Sequence, residues 1–247
     1  MSTRARAPAA ALVRWHPLAD AERLPRVAAE RILAVAGNAI SDHDHFHLVL
    51  AGGTTPRAAY ALLREADTDW TRWHVWFGDE RCLPHDDPGR NSRMAADAWL
   101  AEVPIPAGQV HVIPAERGPA QAAADYGDAL AGLGDFDLVL LGLGEDGHTA
   151  SLFPGHDRGA TPDAPDVMAV TRAPKPPPDR VSLSAQRLSR AREVLFLVTG
   201  ESKRVAVDRW RAGADLPATA VRPPDGVDVL IEAALLRPSR RAGPRGA

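Results

Sequence analysis

A single cysteine, Cys82, in a chain of 247 residues leaves no pair for an internal disulfide framework and fits a reducing compartment. No apolar run approaches the roughly 18 residues that cross a bilayer. The N-terminal MSTRARAPAA carries basic residues, but the apolar stretch of a secretory signal does not follow it. Neither sign of charge dominates. The 29 Lys and Arg and the 32 Asp and Glu give a formal net charge of −3, which offers no electrostatic footprint for nucleic acid or an anionic membrane. No internal repeat and no linker divides the sequence. These absences lead us to expect a cytoplasmic single domain over residues 11–236. We expect disordered tails over residues 1–10 and 237–247, the second of them basic. Nothing in the sequence fixes oligomeric state beyond an expected monomer or weak homodimer.

What the chain does contain is ordinary globular material, 45% hydrophobic, enough to bury a core without staples. Strand-like and helix-like segments alternate. Residues 18–36 have helical spacing, with Leu24, Val27, Ala28, Ile32 and Val35 on one face. Residues 47–51 read as a buried strand, followed by GGTTP and a helix from Pro56 to about Glu65. Residues 73–77 form a second strand, 78–92 a polar loop, 91–100 a helix, 109–113 a short strand and 119–133 an alanine-rich helix. The apolar run 136–141 is a further strand. After it, strands are expected over 167–171, 180–184, 193–199 and 227–232, with a helix over 202–211. A stiff APKPPPD segment lies between the first two. This alternation predicts an α/β fold: a Rossmann-like, mainly parallel sheet covered by helices on both faces, in one domain.

Chemistry concentrates at three strand-to-helix junctions, which a parallel sheet brings to one edge. GGTTP offers Gly52 and Gly53 for close backbone approach, Thr54 and Thr55 as hydroxyls, and a helix N-terminus with positive potential. It reads equally as a phosphate cradle or as a tight turn with a capping threonine, and it is no Walker loop because the Lys-Ser/Thr is missing. In GDERCLPHDDPGRNS, Asp79, Glu80 and Arg81 directly follow a strand, where Arg81 can meet a phosphate or an oxyanion and Asn91 opens the next helix. In GEDGHTAS, Gly144 and Gly147 frame Asp146 and His148, two residues apart. An imidazole that moves protons near neutral pH beside a carboxylate that fixes its tautomer suits hydrolysis or proton shuttling on a small anionic substrate. Lys175, Arg180 and Lys203 are candidates to neutralise a phosphate, although each alone reads as a surface charge. SDHDHFH sets His43, His45 and His47 at alternate positions, on one face if extended. Zinc can use two of them, but no closed set of four ligands appears, and no metal is expected. Cys82 has no histidine base nearby, and no GxSxG elbow supports a serine esterase.

With these loops in view, the chain resembles the bacterial 6-phosphogluconolactonases, part of a larger group that includes the glucosamine-6-phosphate deaminases. The resemblance rests on AGGTTPRAAYALL, WFGDERCLPHDDPGRNSRMA, FDLVLLGLGEDGHTASLFPGH, APKPPPDRVSLS and GESKRVAV, in family order across most of residues 48–232. The deaminases run from the shared DGH toward Phe-Asn-Glu-Pro and carry an aromatic where Arg81 stands. TASLFPGH and DER are lactonase-like. Thr54, where Ser is frequent, and Glu232, where Asp is common, are small departures.

The resemblance implies hydrolysis of 6-phospho-D-glucono-1,5-lactone to 6-phosphogluconate in the oxidative pentose phosphate pathway, with no metal or organic cofactor and a phosphosugar lactone as the small-molecule partner. The residues suggest His148 as general base on water and Asp146 as its orienter. Amides near Gly144–Gly147, with Arg81, are candidates for the oxyanion. Gly53, Thr54, Thr55 and Lys203, with Lys175 or Arg180, are candidates for the phosphate. A deaminase or isomerase on the same fold, and a sugar-phosphate sensor without catalysis, are the competing readings.

Overall fold

The computed structural model describes residues 12–237, so the expected tails lie outside the described residues except at residue 237. In chain order the regular elements are β1 (Val13–Leu18), α1 (Leu24–His43), β2 (Phe46–Leu50), α2 (Thr54–Leu62), β3 (Trp73–Phe77), β4 (Asp79–Arg81), α3 (Asn91–Ala95), β5 (Val110–His111), α4 (Pro119–Ala129), β6 (Phe136–Gly142), β7 (Val167–Val170), β8 (Arg180–Leu183), α5 (Ala185–Ser189), β9 (Ala191–Val198), α6 (Arg204–Arg211) and β10 (Val227–Glu232).

Seven strands form one sheet in the order β1-β10-β9-β6-β2-β3-β5, with every pairing parallel. All of β2 is buried, and β6 is buried from Phe136 to Leu141, as unbroken apolar strands require when helices cover both sides. Helix α1 packs on α2, β2, β6 and β10 through Leu24, Ala28, Ile32, Ala36 and Ala39, which recur at helical spacing. Tyr126 of α4 hydrogen-bonds the backbone of Phe77, and Trp210 of α6 meets Trp15 and Phe196 edge-on. The mainly parallel, single-domain α/β reading therefore agrees with the architecture.

Several expected details differ. Strand β1 was not anticipated: VRWHPL is a partly exposed sheet edge and lacks the apolar run that marks a buried strand. Helix α1 covers Leu24–His43 rather than 18–36. Asp20 caps a 3-10 turn ahead of it, Pro25 sits in its first turn, and it runs on into SDH until Asp44 takes a left-handed φ of 69°. The polar loop 78–92 contains β4, and the strands near 167–171 and 180–184 leave the main sheet. Together they make a small antiparallel sheet, β4-β8-β7. Gly78 is the junction: its amide bonds Leu50 of the large sheet, and its carbonyl accepts from Leu183 of the small one. Helix α4 stops at Ala129 rather than 133, and the strand near 109–113 shortens to Val110–His111.

Candidate active site

The strand order reverses between β2 and β6, because the chain goes outward through β3 and β5 and then returns to the other side of β2. Such a reversal opens a crevice at the carboxyl ends of the strands. A cavity of about 230 Å³ lies there. Gly52 and Gly53 reach it from the end of β2, Asp79 and Arg81 from β4, and Asn91 from the start of α3. Gly144 and His148 enter from the end of β6, Arg180 from β8, and Lys203 from the turn before α6. Gly53 has a φ of 112°, which a side chain would strain, and it opens the nine-residue α2 with its free N–H groups and positive end.

His148 is held from one side. Its Nδ1 lies 2.6 Å from Asp146 Oδ1, and its amide donates to the same oxygen at 3.1 Å. Burial works to raise the Asp146 pKa, but these bonds from His148 outweigh it and keep the carboxyl below its ordinary value. An ionised carboxylate only accepts, so Nδ1 carries the proton and Nε2 is the basic atom of the neutral ring. Burial pulls the His148 pKa below its usual value. Asp146 opposes that through its hydrogen bond and charge, and the net shift is downward. Gly144 makes room for the ring: a Cβ there would lie 1.9 Å from His148 Nδ1. Of the amides near Gly144–Gly147 expected to serve an oxyanion, two are already engaged. Gly144 N donates to His148 O at 2.7 Å, and Gly147 N donates to Gly144 O at 3.0 Å.

Arg81 offers a donor instead. Its Nη1 bonds Gly89 O, while Nε is buried without a hydrogen-bond partner among the described residues. Glu80, expected to touch substrate, is 0% exposed and turned into the scaffold. It accepts the amides of Arg81, Asn91 and Ser92 and lies 3.5 Å from the buried Arg90 guanidinium. It thereby fixes the start of α3 and the loop that presents Arg81. Asn91 donates from Nδ2 to Asp79 Oδ1 at 3.0 Å and to Asp79 O at 2.9 Å.

Of the remaining candidates, Arg180 directs Nε and Nη2 to the carbonyls of Lys175, Pro176 and Pro177 and lies over the Phe153 ring. Lys175 does not line the cavity and pairs with Glu145 at 2.8 Å. Thr54 faces a separate outer hollow beside Arg57, and Thr55 Oγ1 is 2.8 Å from Thr199 Oγ1. Gly147 stands behind the loop at a φ of 92°, against Leu216. Two neighbours of His148 join the site without being among the candidate residues. Ala150 lines the cavity at a φ of 46°, and Ser151 is buried against Asp79. The glycine-framed loop was the only signal near them.

The three alternating histidines do not share a strand face: His43 ends α1, His45 lies between elements, and His47 is in β2. Their rings nevertheless form a row, 4.4 Å from His43 to His45, 4.8 Å on to His47, 4.7 Å to His74 and 5.7 Å to His111. No group of three or more His, Cys, Asp or Glu is arranged to hold a metal among the described residues. Burial pushes the Cys82 thiol up to about 11, the wrong direction for a nucleophile. No helix among the described residues is long and apolar enough to cross a membrane.

A sequence model of the family described as glucosamine-6-phosphate isomerases/6-phosphogluconolactonase matches residues 19–230. A 6-phosphogluconolactonase of Streptomyces coelicolor is 37% identical over 224 residues, covering 82% of this chain and 85% of the relative. One from Mycobacterium tuberculosis is 37% identical over 210 residues, covering 79% and 85%. The crystal structure of 6-phosphogluconolactonase from Thermotoga maritima superposes with a TM-score of 0.82 at 28% identity, over 90% of this chain and 100% of that one.

Proposed function

Because the chain belongs to the family of glucosamine-6-phosphate isomerases and 6-phosphogluconolactonases, we propose that it hydrolyses 6-phospho-D-glucono-1,5-lactone to 6-phospho-D-gluconate. The oxidative pentose phosphate pathway is the setting. The observation that carries this reading is the His148–Asp146 pair beside a cavity also lined by Arg81 and Lys203. His148 Nε2 takes a proton from water as the water oxygen attacks the lactone carbonyl. The carbonyl oxygen becomes an oxyanion, for which the Arg81 guanidinium at the cavity wall is the fitting donor. The tetrahedral centre collapses, the ring C–O bond breaks, and the imidazolium returns the proton to the departing ring oxygen. No covalent intermediate is required, because the ester is already activated.

Lys203 and the α2 N-terminus at Gly53 suit the phosphate, whose binding orients the carbonyl. Lys175, tied to Glu145 away from the cavity, has little claim on it, and Arg180 has most of its donors on backbone carbonyls. Arg81 and TASLFPGH disfavour the deaminase reading.

The test is hydrolysis of freshly generated lactone, coupled to 6-phosphogluconate dehydrogenase with the spontaneous rate subtracted. His148→Ala should keep its fold and lose about 10²–10⁴-fold in kcat. Equal acceleration by both proteins would remove His148 from the mechanism. Acceleration by neither, with both folded, would turn attention to ammonia release from glucosamine-6-phosphate.

A further inference from the structure

Asp79 is a carboxylate, 6% exposed, at the wall of the cavity, and both its oxygens are gripped. Asn91 Nδ2 donates to Oδ1, and Ser151 Oγ lies 2.6 Å from Oδ2. The direction of that second bond is forced. Arg180 Nη1 approaches the Ser151 oxygen at 3.4 Å, and a guanidinium can only donate. The single hydroxyl proton of Ser151 is therefore left for Asp79. The Ser151 amide is fixed as well, donating to Ser182 Oγ at 3.2 Å, and Ser182 is the cross-strand partner of Asp79. Ser151 is 1% exposed and has no route to substrate itself.

Ser151 also follows His148 by three residues, and the chain turns between them at Ala150 with its φ of 46°. A left-handed alanine is strained and persists where its surroundings over-determine it. Here it sets the base toward the cavity and the Ser151 hydroxyl toward Asp79 within one short segment.

From this geometry we infer that Ser151 is a positioning residue: its hydroxyl aims the Asp79 carboxylate at a sugar hydroxyl of the substrate. The inference rests on the lactonase reading for the identity of that substrate. A carboxylate repels a phosphate, so the group it receives is an uncharged donor. With one position on each oxygen already filled, the carboxylate presents its remaining acceptor capacity from a fixed rotamer.

Ser151→Ala deletes one oxygen and should melt within a few degrees of wild type. Its kcat/KM on fresh lactone should fall about 10- to 100-fold, mainly through KM, the scale of one hydrogen bond to a charged group. In an Asp79→Ala background the same change should cost less than about threefold, because the carboxylate it serves is gone. Ser151→Cys, which keeps volume and a weak donor, should fall between serine and alanine and covers the case in which the alanine protein does not fold.

Wild-type kcat/KM in Ser151→Ala, or equal losses in both backgrounds, overturns the inference. Calorimetric binding of 6-phosphogluconate to wild type, Ser151→Ala, Asp79→Ala and the double variant separates it from the reading it rests on. Coupling between Ser151 and Asp79 in binding, without lactone opening by wild type, overturns the hydrolase and keeps the positioning role. Neither binding nor turnover by wild type overturns both.

Discussion

At the carboxyl end of the main sheet one imidazole, His148, is gripped by a carboxylate beside a cavity. Toward the amino end five imidazoles lie ring to ring, and His43 alone among them has a carboxylate partner, Asp137, among the described residues. Burial lowers the pKa of His148 at one end and of His47, His74 and His111 at the other. At His148, Asp146 pulls back up, so the ring stays a usable base with its tautomer fixed. At His47 nothing opposes burial and neighbouring histidines add to it, so the pKa falls to about 3. His111 falls to about 4 for the same reasons. His47 and His111 therefore serve as neutral packing groups. Trp76 Nε1 donates to His47 Nδ1, which requires an unprotonated nitrogen there. What a histidine does depends on what faces it, and the number of histidines in a segment is a poor guide.

The largest expected effect strikes the gripped end. Gly144→Ala would place a Cβ 1.9 Å from His148 Nδ1, too close to Asp146's partner atom for both to remain. The ring must leave its carboxylate, and kcat should fall about 10²–10⁴-fold, like loss of the base itself. Thermal melts should show a folded protein. Wild-type turnover in Gly144→Ala would mean that the grip on His148 is not needed, and the comparison would lose its first half.

The second prediction concerns the ungripped end. The unfolded chain binds protons at its histidines below about pH 6.5, whereas the folded chain does not do so at His47 until about pH 3. Stability held in full above pH 6.5 is therefore lost as pH falls from about 6.5 toward about 3. Between pH 7 and pH 5 the loss from a fully buried neutral histidine is about 2 kcal/mol. In urea melts, the drop in unfolding free energy from pH 7 to pH 5 should be smaller in His47→Gln than in wild type by about that amount. Equal acid sensitivity would mean that His47 is already charged or solvated in the fold.

The same contrast explains what was legible in the sequence. The three junctions were visible because a buried parallel strand is an apolar run, and a ligand-facing turn after it needs glycine or charge. GGTTP, DER and GEDGH all show this, and Gly53, Arg81 and His148 do line one cavity. Roles set by a partner distant in sequence were not visible. Glu80 and Arg81 are equally charged neighbours, and only the fold sends one to the α3 amides and the other to the cavity. Ser151 gains its role from Asp79, 72 residues away. The alternation in SDHDHFH mimics a strand, but α1 runs through Ser41 and Asp42 to end at His43. Strand β1 carries Arg14, His16 and Pro17 at an open edge, so it lacked the apolar signature altogether.

Two lysines extend the comparison to groups that share one end of the sheet. Lys203 lines the cavity, whereas Lys175 lies outside it and is paired with the exposed Glu145. An exposed ion pair contributes about 0–1 kcal/mol, and breaking it frees two solvated groups. A cation facing a bound phosphate is different, because its attraction acts on substrate and transition state alike and so appears in KM. Lys203→Ala should therefore raise KM about tenfold or more with kcat nearly unchanged, the scale of one charge-assisted contact. Lys175→Ala should change KM by no more than about two- to threefold. Raising ionic strength should shrink the Lys203 difference, since screening weakens a partly exposed charge pair. A larger KM effect at Lys175 than at Lys203 would mean that the Lys175–Glu145 pair opens on binding and that its ammonium turns to the phosphate. Facing the cavity in the unliganded fold would then be insufficient to identify which cation serves the substrate.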